Sequence, residues 1–310
     1  MAHLPAVWSP TYEVDIGPHV FPTSKYRRVK DRLVDEGTLR ERDVLRPEPV
    51  SREALERVHT AAYVQKVTEG SFTEREEWLL EIPFSPELRR ASLVCCGGSL
   101  LAGRKALERG VCVHLGGGFH HAFSDHGEGF CLLNDVAVAL RELLARGAIR
   151  RAAVLDCDVH HGNGTAAVFR DDDRVFTLSV HQEANYPAHK PPGDLDLGLE
   201  DGVDDDAYLS VLRDGTAEAL ERSDPDLAFY LAGADPYRED QLGGLALTRA
   251  GLHARDELVF RRCRDAGVPV AVCLAGGYAT RLDDTVEIHC GTARAARASG
   301  LARPSVDGGP

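Results

Sequence analysis

The chain predicts an α/β fold: a central, mostly parallel β-sheet flanked by helices on both faces. Three observations lead there. After the midpoint, short apolar runs alternate with longer helical stretches, the pattern of strands joined by crossover helices. Four of the apolar runs lead into unusual polar residues with glycine close by, and ligand sites in open α/β sheets form at the carboxyl ends of strands. No Pro/Gly/Ser-rich linker interrupts the chain, so 310 residues with 43% hydrophobic content read as one domain with a large core.

The predicted strands are Val111–Leu115, Ala152–Leu155, Val175–Ser179, Leu227–Leu231 and Val268–Leu274. Helical spacing covers 24–36, 87–108, 132–147, 162–170, 205–222 and 248–266. Asp204-Asp205-Asp206 reads as a capped helix start, and Asp171-Asp172-Asp173 as a solvated turn. One folded domain is expected over 1–295. Thr292–Pro310, rich in Ala, Arg, Ser and Gly, reads as a frayed helix and tail, and residues 296–310 are expected to form a flexible tail.

Composition excludes several classes. Net charge is −13, which disfavours direct nucleic-acid binding, because phosphate neutralisation needs a basic surface. An acidic surface suits cationic substrates and serves solubility equally well. No 18-residue apolar run predicts a membrane span, and Met1–Pro5 lacks the basic start and apolar core of a secretory leader. Eight cysteines without a CxxC pair read as reduced, buried thiols, and the expected location is cytoplasmic.

Chemistry concentrates at the four strand ends. The first strand runs into Gly116-Gly117-Gly118-Phe119-His120-His121, and the second into Asp156-Cys157-Asp158-Val159-His160. The other two reach Gly233-Ala234-Asp235 and Gly276-Gly277-Tyr278. If the second strand continued, period-two alternation would aim Asp156, Asp158 and His160 one way, and burying three such groups demands a partner. Asp158, His160 and Asp235 make an open three-ligand set suited to a catalytic zinc, and ferrous iron accepts the same donors. The neighbouring His120 and His121 suit proton transfer, and Tyr278 can donate to a developing oxyanion. Read singly, Asp158 is a helix cap, Asp235 a turn residue and Tyr278 a core aromatic; together they point to one site. His114 reads as a satisfied core residue, and His59, His126, His253 and His289 as packing or surface groups. His181 receives no assignment.

From about Val7 to Arg281 the chain resembles the histone deacetylase superfamily, with its arginase/deacetylase-like fold. The motifs are the Gly116–Ala122 loop, Gly129-Phe130-Cys131-Leu132-Leu133-Asn134-Asp135, the Asp156–Gly164 segment, Gly233–Asp235, Asp240–Gly243 and Gly276–Tyr278. His19–Tyr26, Asp194–Asp196, Gly243–Leu245 and Arg255–Phe260 make it most similar to the class IV branch and its bacterial relatives. The resemblance implies a deacylase in which metal-activated water hydrolyses the amide of N-acyl-lysine in a protein or peptide, or of an acylated polyamine. It implies zinc on Asp158, His160 and Asp235, an acid–base pair of His120 and His121, and Tyr278 as oxyanion donor. Gly129 would offer its carbonyl to the substrate amide, and Phe130, Tyr186 and Leu242 would line a narrow tunnel. Asp156 would orient His120 and, with Ser179 and the backbone of Asp158, His160 and Val180, enclose a potassium ion.

Position 163 departs from the class I pattern, with Asn163 where those members carry aspartate. A neutral partner stabilises protonated His121 less, which leaves the division of labour between the two histidines open. No residue matches the loop aspartate with which class I members grip the substrate backbone. A two-manganese ureohydrolase would need a carboxylate two residues after His160, and Gly162 stands there. A non-catalytic acyl-amine binder would have lost a ligand, a histidine or the tyrosine, and all are present.

Overall fold

The computed structural model describes residues 3–303. Eight strands form one sheet: β1 (Ala6–Val7), β2 (Val44–Leu45), β3 (Val111–His114), β4 (Ala152–Asp156), β5 (Val175–Gln182), β6 (Leu195–Leu199), β7 (Leu227–Leu231) and β8 (Val270–Cys273). Their order is β2-β1-β3-β8-β7-β4-β5-β6, and every neighbouring pair is parallel. β3, β4, β5, β7 and β8 are buried along their whole length. Full burial on both faces explains why these strands read as continuous apolar runs rather than alternations. The four strands whose ends carry the polar residues, β3, β8, β7 and β4, are consecutive in this order. Their carboxyl ends therefore converge on one place.

The six expected helices occur over Lys25–Asp35, Pro86–Arg109, Asp135–Ala145, Asn163–Phe169, Asp205–Ser223 and Arg249–Asp265. Asn134 accepts from the backbone N–H of Ala137, which starts the third of these three residues later than its apolar run suggests. Four further helices were not anticipated: Arg52–Glu56, Ala61–Glu69, Glu74–Leu80 and Leu282–Ala298.

The last of them corrects the expected tail. Val286, Cys290, Ala293 and Ala296 are buried at helical spacing, and Thr292 Oγ1 donates to Asp256 Oδ2 at 2.6 Å. Leu301 is also buried, and the Arg303 N–H donates to the Arg109 carbonyl at 2.7 Å. Small side chains let this helix pack closely, so its alanines mark an interface rather than fraying. The remainder of the expected tail, 304–310, lies outside the described residues. Among the described residues no helix is long and apolar enough to cross a membrane, and all eight cysteines are free and buried.

Candidate functional site

The strand β4 stops at Asp156, so simple alternation does not carry Asp158 and His160 into the site. Two successive side-chain turns do. Asp156 Oδ1 accepts the Asp158 N–H at 3.0 Å, and Asp158 Oδ1 accepts the His160 N–H at 3.0 Å. Asp158 Oδ2 also accepts the Gly276 N–H at 2.8 Å, and Asp235 Oδ1 accepts the Val159 N–H at 3.0 Å. The ends of β4, β7 and β8 are thus laced together by the carboxylates themselves. Beneath them the fully buried Arg255 donates to the Gly233 carbonyl at 2.5 Å and pairs with Asp256 at 2.9 Å.

Asp158, His160 and Asp235 are buried, with one donor atom from each within 4.8 Å of the others. His160 Nδ1 lies 2.9 Å from Asp158 Oδ1 and 3.5 Å from Asp235 Oδ2. Asp235 Oδ2 is buried without a hydrogen-bond partner, an expensive arrangement for a carboxylate oxygen that nothing else satisfies. Burial raises the Asp235 carboxyl and the facing Asp158 carboxylate raises it further. Burial opposes charge on His160, but the two carboxylates outweigh it and hold the imidazole well above its ordinary value. This excess of negative charge around an unsatisfied oxygen is the condition for binding a cation.

The histidine pair lies alongside. His120 Nδ1 donates to Asp156 Oδ2 at 2.6 Å, and the Nε2 atoms of His120 and His121 are 3.1 Å apart. His121 Nδ1 meets Asn163 Oδ1 at 2.7 Å. Burial disfavours charge on both rings. The Asp156 and Asp158 carboxylates reverse this for His120 and raise it to about 9, whereas His121 is driven far below its usual value by burial and by its neighbour His120. Tyr278 is buried, and burial with the nearby carboxylates keeps its hydroxyl protonated far into the alkaline range.

A cleft leads outward from these groups. His121, Gly129, Phe130, His160, Tyr186, Leu242 and Tyr278 share its wall with Glu81 and Asn185. The Tyr186 ring stands edge-on to His121, with centroids 4.9 Å apart, and Phe130 stands edge-on to Tyr278 at 5.9 Å. Phe130 holds a φ of +68°, a strained conformation for a non-glycine residue, immediately after Gly129 at +53°. Ser179 lies in register with Asp156 on the adjacent strand, and Val180 follows it; all three are buried. Ser179 Oγ is 3.1 Å from His181 Nδ1, which gives that histidine a buried partner.

Several contributors escape a reading of the sequence. Asn134 and Asp135 clamp the histidine loop from two sides. Asp135 accepts the N–H groups of Gly118 and Phe119 at 3.1 and 2.8 Å, while Asn134 Nδ2 donates to the Ala122 carbonyl at 3.2 Å. Asp135 also forms a potential ligand cluster with Cys95 and His114. There, however, His114 is already bonded to Tyr12 at 2.8 Å and Ser99 at 3.0 Å, so the cluster is a saturated brace. Glu128 receives Asn163 Nδ2 at 2.5 Å and the Tyr186 hydroxyl at 3.2 Å. Lys25 is wholly buried and donates to the carbonyl of Ala275, beneath the Tyr278 ring. Its spacing with Val29 and Leu33 on one helical face was the available signal.

Comparison with known proteins agrees with this architecture. The histone deacetylase domain model matches residues 19–292. An uncharacterised protein of Picosynechococcus sp. is 42% identical over 294 residues, covering 94% of this chain and 98% of its own. Histone deacetylase 2 of Arabidopsis thaliana is 32% identical over 269 residues, covering 84% of this chain and 70% of its own. The solved HDA15 HD domain superposes with a TM-score of 0.78 at 22% identity, covering 98% of this chain and 90% of its own. A solved HDAC homolog complexed with SAHA gives 0.78 at 23% identity, covering 96% and 84%. The chain belongs to the histone deacetylase family, has the arginase/deacetylase fold, and is a hydrolase acting on amide bonds.

Proposed function

We propose that the protein is a zinc-dependent deacylase that hydrolyses the amide of N-acyl-lysine in peptides or proteins. One observation carries the reading: the unpartnered Asp235 oxygen, Asp158 and His160 meet at the inner end of a cleft whose walls are Phe130, Tyr186 and Leu242. Asp158, His160 and Asp235 would hold the ion. When bound, it polarises the acyl carbonyl and lowers the pKa of water at the site. The aromatic walls grip the aliphatic stem of lysine and exclude bulk water, and the Gly129 carbonyl accepts the substrate N–H. His120, oriented by Asp156, and His121 take a proton from the attacking water and return one to the leaving nitrogen as the C–N bond breaks. Tyr278, never ionised at working pH, donates its hydroxyl hydrogen to the oxygen that becomes negative. Asp156, Ser179 and Val180 with nearby backbone carbonyls would enclose a structural potassium ion.

Glu81 on the cleft wall favours a second reading, an acylated polyamine whose distant ammonium it would meet. The test is turnover of fluorogenic acyl-lysine peptides and acylpolyamines, with and without chelator, together with elemental analysis for zinc and iron. Tyr278→Phe should lower kcat by roughly 100-fold or more with metal content unchanged. Unchanged turnover in that variant, or full activity in chelator, would sink the assignment.

A further inference from the structure

We propose that Glu128 is a positioning residue: it fixes the side-chain amide of Asn163 so that His121 keeps its proton on Nδ1 and presents a bare Nε2 as proton acceptor. Hydrogen-bond direction alone fixes this arrangement. A carboxylate accepts and cannot donate. Glu128 Oε1 lies 2.5 Å from one terminal atom of Asn163, so that atom is the NH2 group. The other atom is therefore the carbonyl oxygen, and it faces His121 Nδ1 at 2.7 Å. An oxygen acceptor there requires a proton on Nδ1, which leaves Nε2 of the neutral ring unprotonated.

The opposite histidine has the complementary arrangement. His120 donates from Nδ1 to Asp156, and its Nε2 faces His121 Nε2 at 3.1 Å. One of the two Nε2 atoms must donate to the other. With His121 fixed as acceptor, His120 is the donor, and the division of labour follows. Once the attacking water displaces that contact, His121 takes its proton, and His120 stays doubly protonated against Asp156.

Glu128 is itself held in place. The Tyr186 hydroxyl donates to its Oε1 at 3.2 Å, and His126 Nε2 lies 3.5 Å from its Oε2. Burial alone would raise the Glu128 carboxyl, but hydrogen bonds from His126, Asn163 and Tyr186 outweigh it and keep the group ionised. Without this carboxylate only the His120 Nε2 contact opposes a flip of the amide. In the flipped orientation Nδ2 faces His121 Nδ1, the ring proton shifts to Nε2, and the acceptor is lost.

The experiment uses the metal-loaded protein and three variants. Glu128→Met should mix the His121 tautomers in ¹⁵N ring spectra and lower kcat roughly tenfold with little change in KM. Asn163→Asp sets two carboxylates against each other and should lose turnover as well. The double variant that combines Asn163→Asp with Glu128→Gln exchanges amide and carboxylate between the two positions. Both hydrogen bonds return, the one between the two side chains with reversed polarity, because the introduced amide donates to the introduced carboxylate. It should return kcat to within about threefold of the parent. A parental His121 signature in Glu128→Met overturns the proposal whatever turnover does, as does an exchange variant no better than Asn163→Asp. If Glu128→Met does not fold, the other two variants decide. The turnover arm rests on the deacylase reading, whereas the ring spectra need no substrate. A changed signature in a protein inert on every amide would refute that reading and leave the positioning role standing.

Discussion

Lys25 makes a stability prediction that no surface lysine would. Its ammonium is wholly buried, with the Ala275 carbonyl at 2.8 Å and the rings of Phe21, Tyr26 and Tyr278 at 5.5, 5.4 and 5.6 Å. Burial lowers its pKa from 10.5 to about 8, against the partly opposing pull of Asp235, Asp158 and Asp240. A depression of that size corresponds to about 3 kcal/mol of destabilisation of the charged form in the folded state. Below pH 8 folded and unfolded chains are both protonated, and the folded state bears the full penalty. Between pH 8 and 10.5 the unfolded chain binds more protons, so stability rises with pH and the penalty fades. Lys25→Met has no such group. In metal-free protein, the unfolding free energy of the parent minus that of Lys25→Met should therefore increase by about 2–3 kcal/mol from about pH 7 to about pH 10. Urea denaturation of both proteins across that range measures it, and the subtraction removes the titrating groups that do not interact with Lys25. A difference constant to within about 0.5 kcal/mol would refute the buried-ammonium argument. Metal loading should push the change to higher amplitude, because a cation on Asp158 and Asp235 cancels the charges that support Lys25.

Two further substitutions test how the strand ends are held. At Gly276 an added Cβ would lie 1.8 Å from Asp235 Oδ2 and 2.6 Å from Asp158 Oδ2. Gly276→Ala should thus displace both carboxylates and cut bound metal, by elemental analysis, to a small fraction of the parent while far-UV dichroism stays native; full metal occupancy would count against those ligands. Asp256→Asn leaves the Arg255 guanidinium buried without its counter-charge. It should cost about 3–5 kcal/mol by chemical denaturation, and a loss under about 1 kcal/mol would show that the Gly233 and Cys157 carbonyls alone satisfy the arginine.

What was legible in the sequence follows from where each signal resides. β3, β4, β5, β7 and β8 are buried on both faces, so each shows as an unbroken apolar run, and their order places four polar ends together. β1 and β2 are two residues each, too short for any periodicity, and β6, at the sheet edge, alternates half-buried and exposed positions and buries only Leu199. The helix Leu282–Ala298 was hidden because its buried positions mix Asp284, Thr285, His289 and Thr292 with Val286, Ile288 and alanines, which breaks up the apolar pattern. The candidate site residues were visible because histidine and aspartate close to glycine at a strand end are rare. The groups that hold them were not. Lys25 and Arg255 do sit on apolar helical faces, with Val29 and Leu33 and with Leu252 and Val259, and a charge at such a position signals a buried partner. Glu128 offers no comparable pattern. It lies in a loop, and its effect on His121 passes through Asn163, 35 residues away in sequence. A substitution of asparagine for aspartate at position 163 therefore removes a charge beside His121 without by itself deciding which way its hydrogen bond runs. Its consequence depends on the carboxylate that orients the amide, and only the three-dimensional arrangement brings that carboxylate within reach.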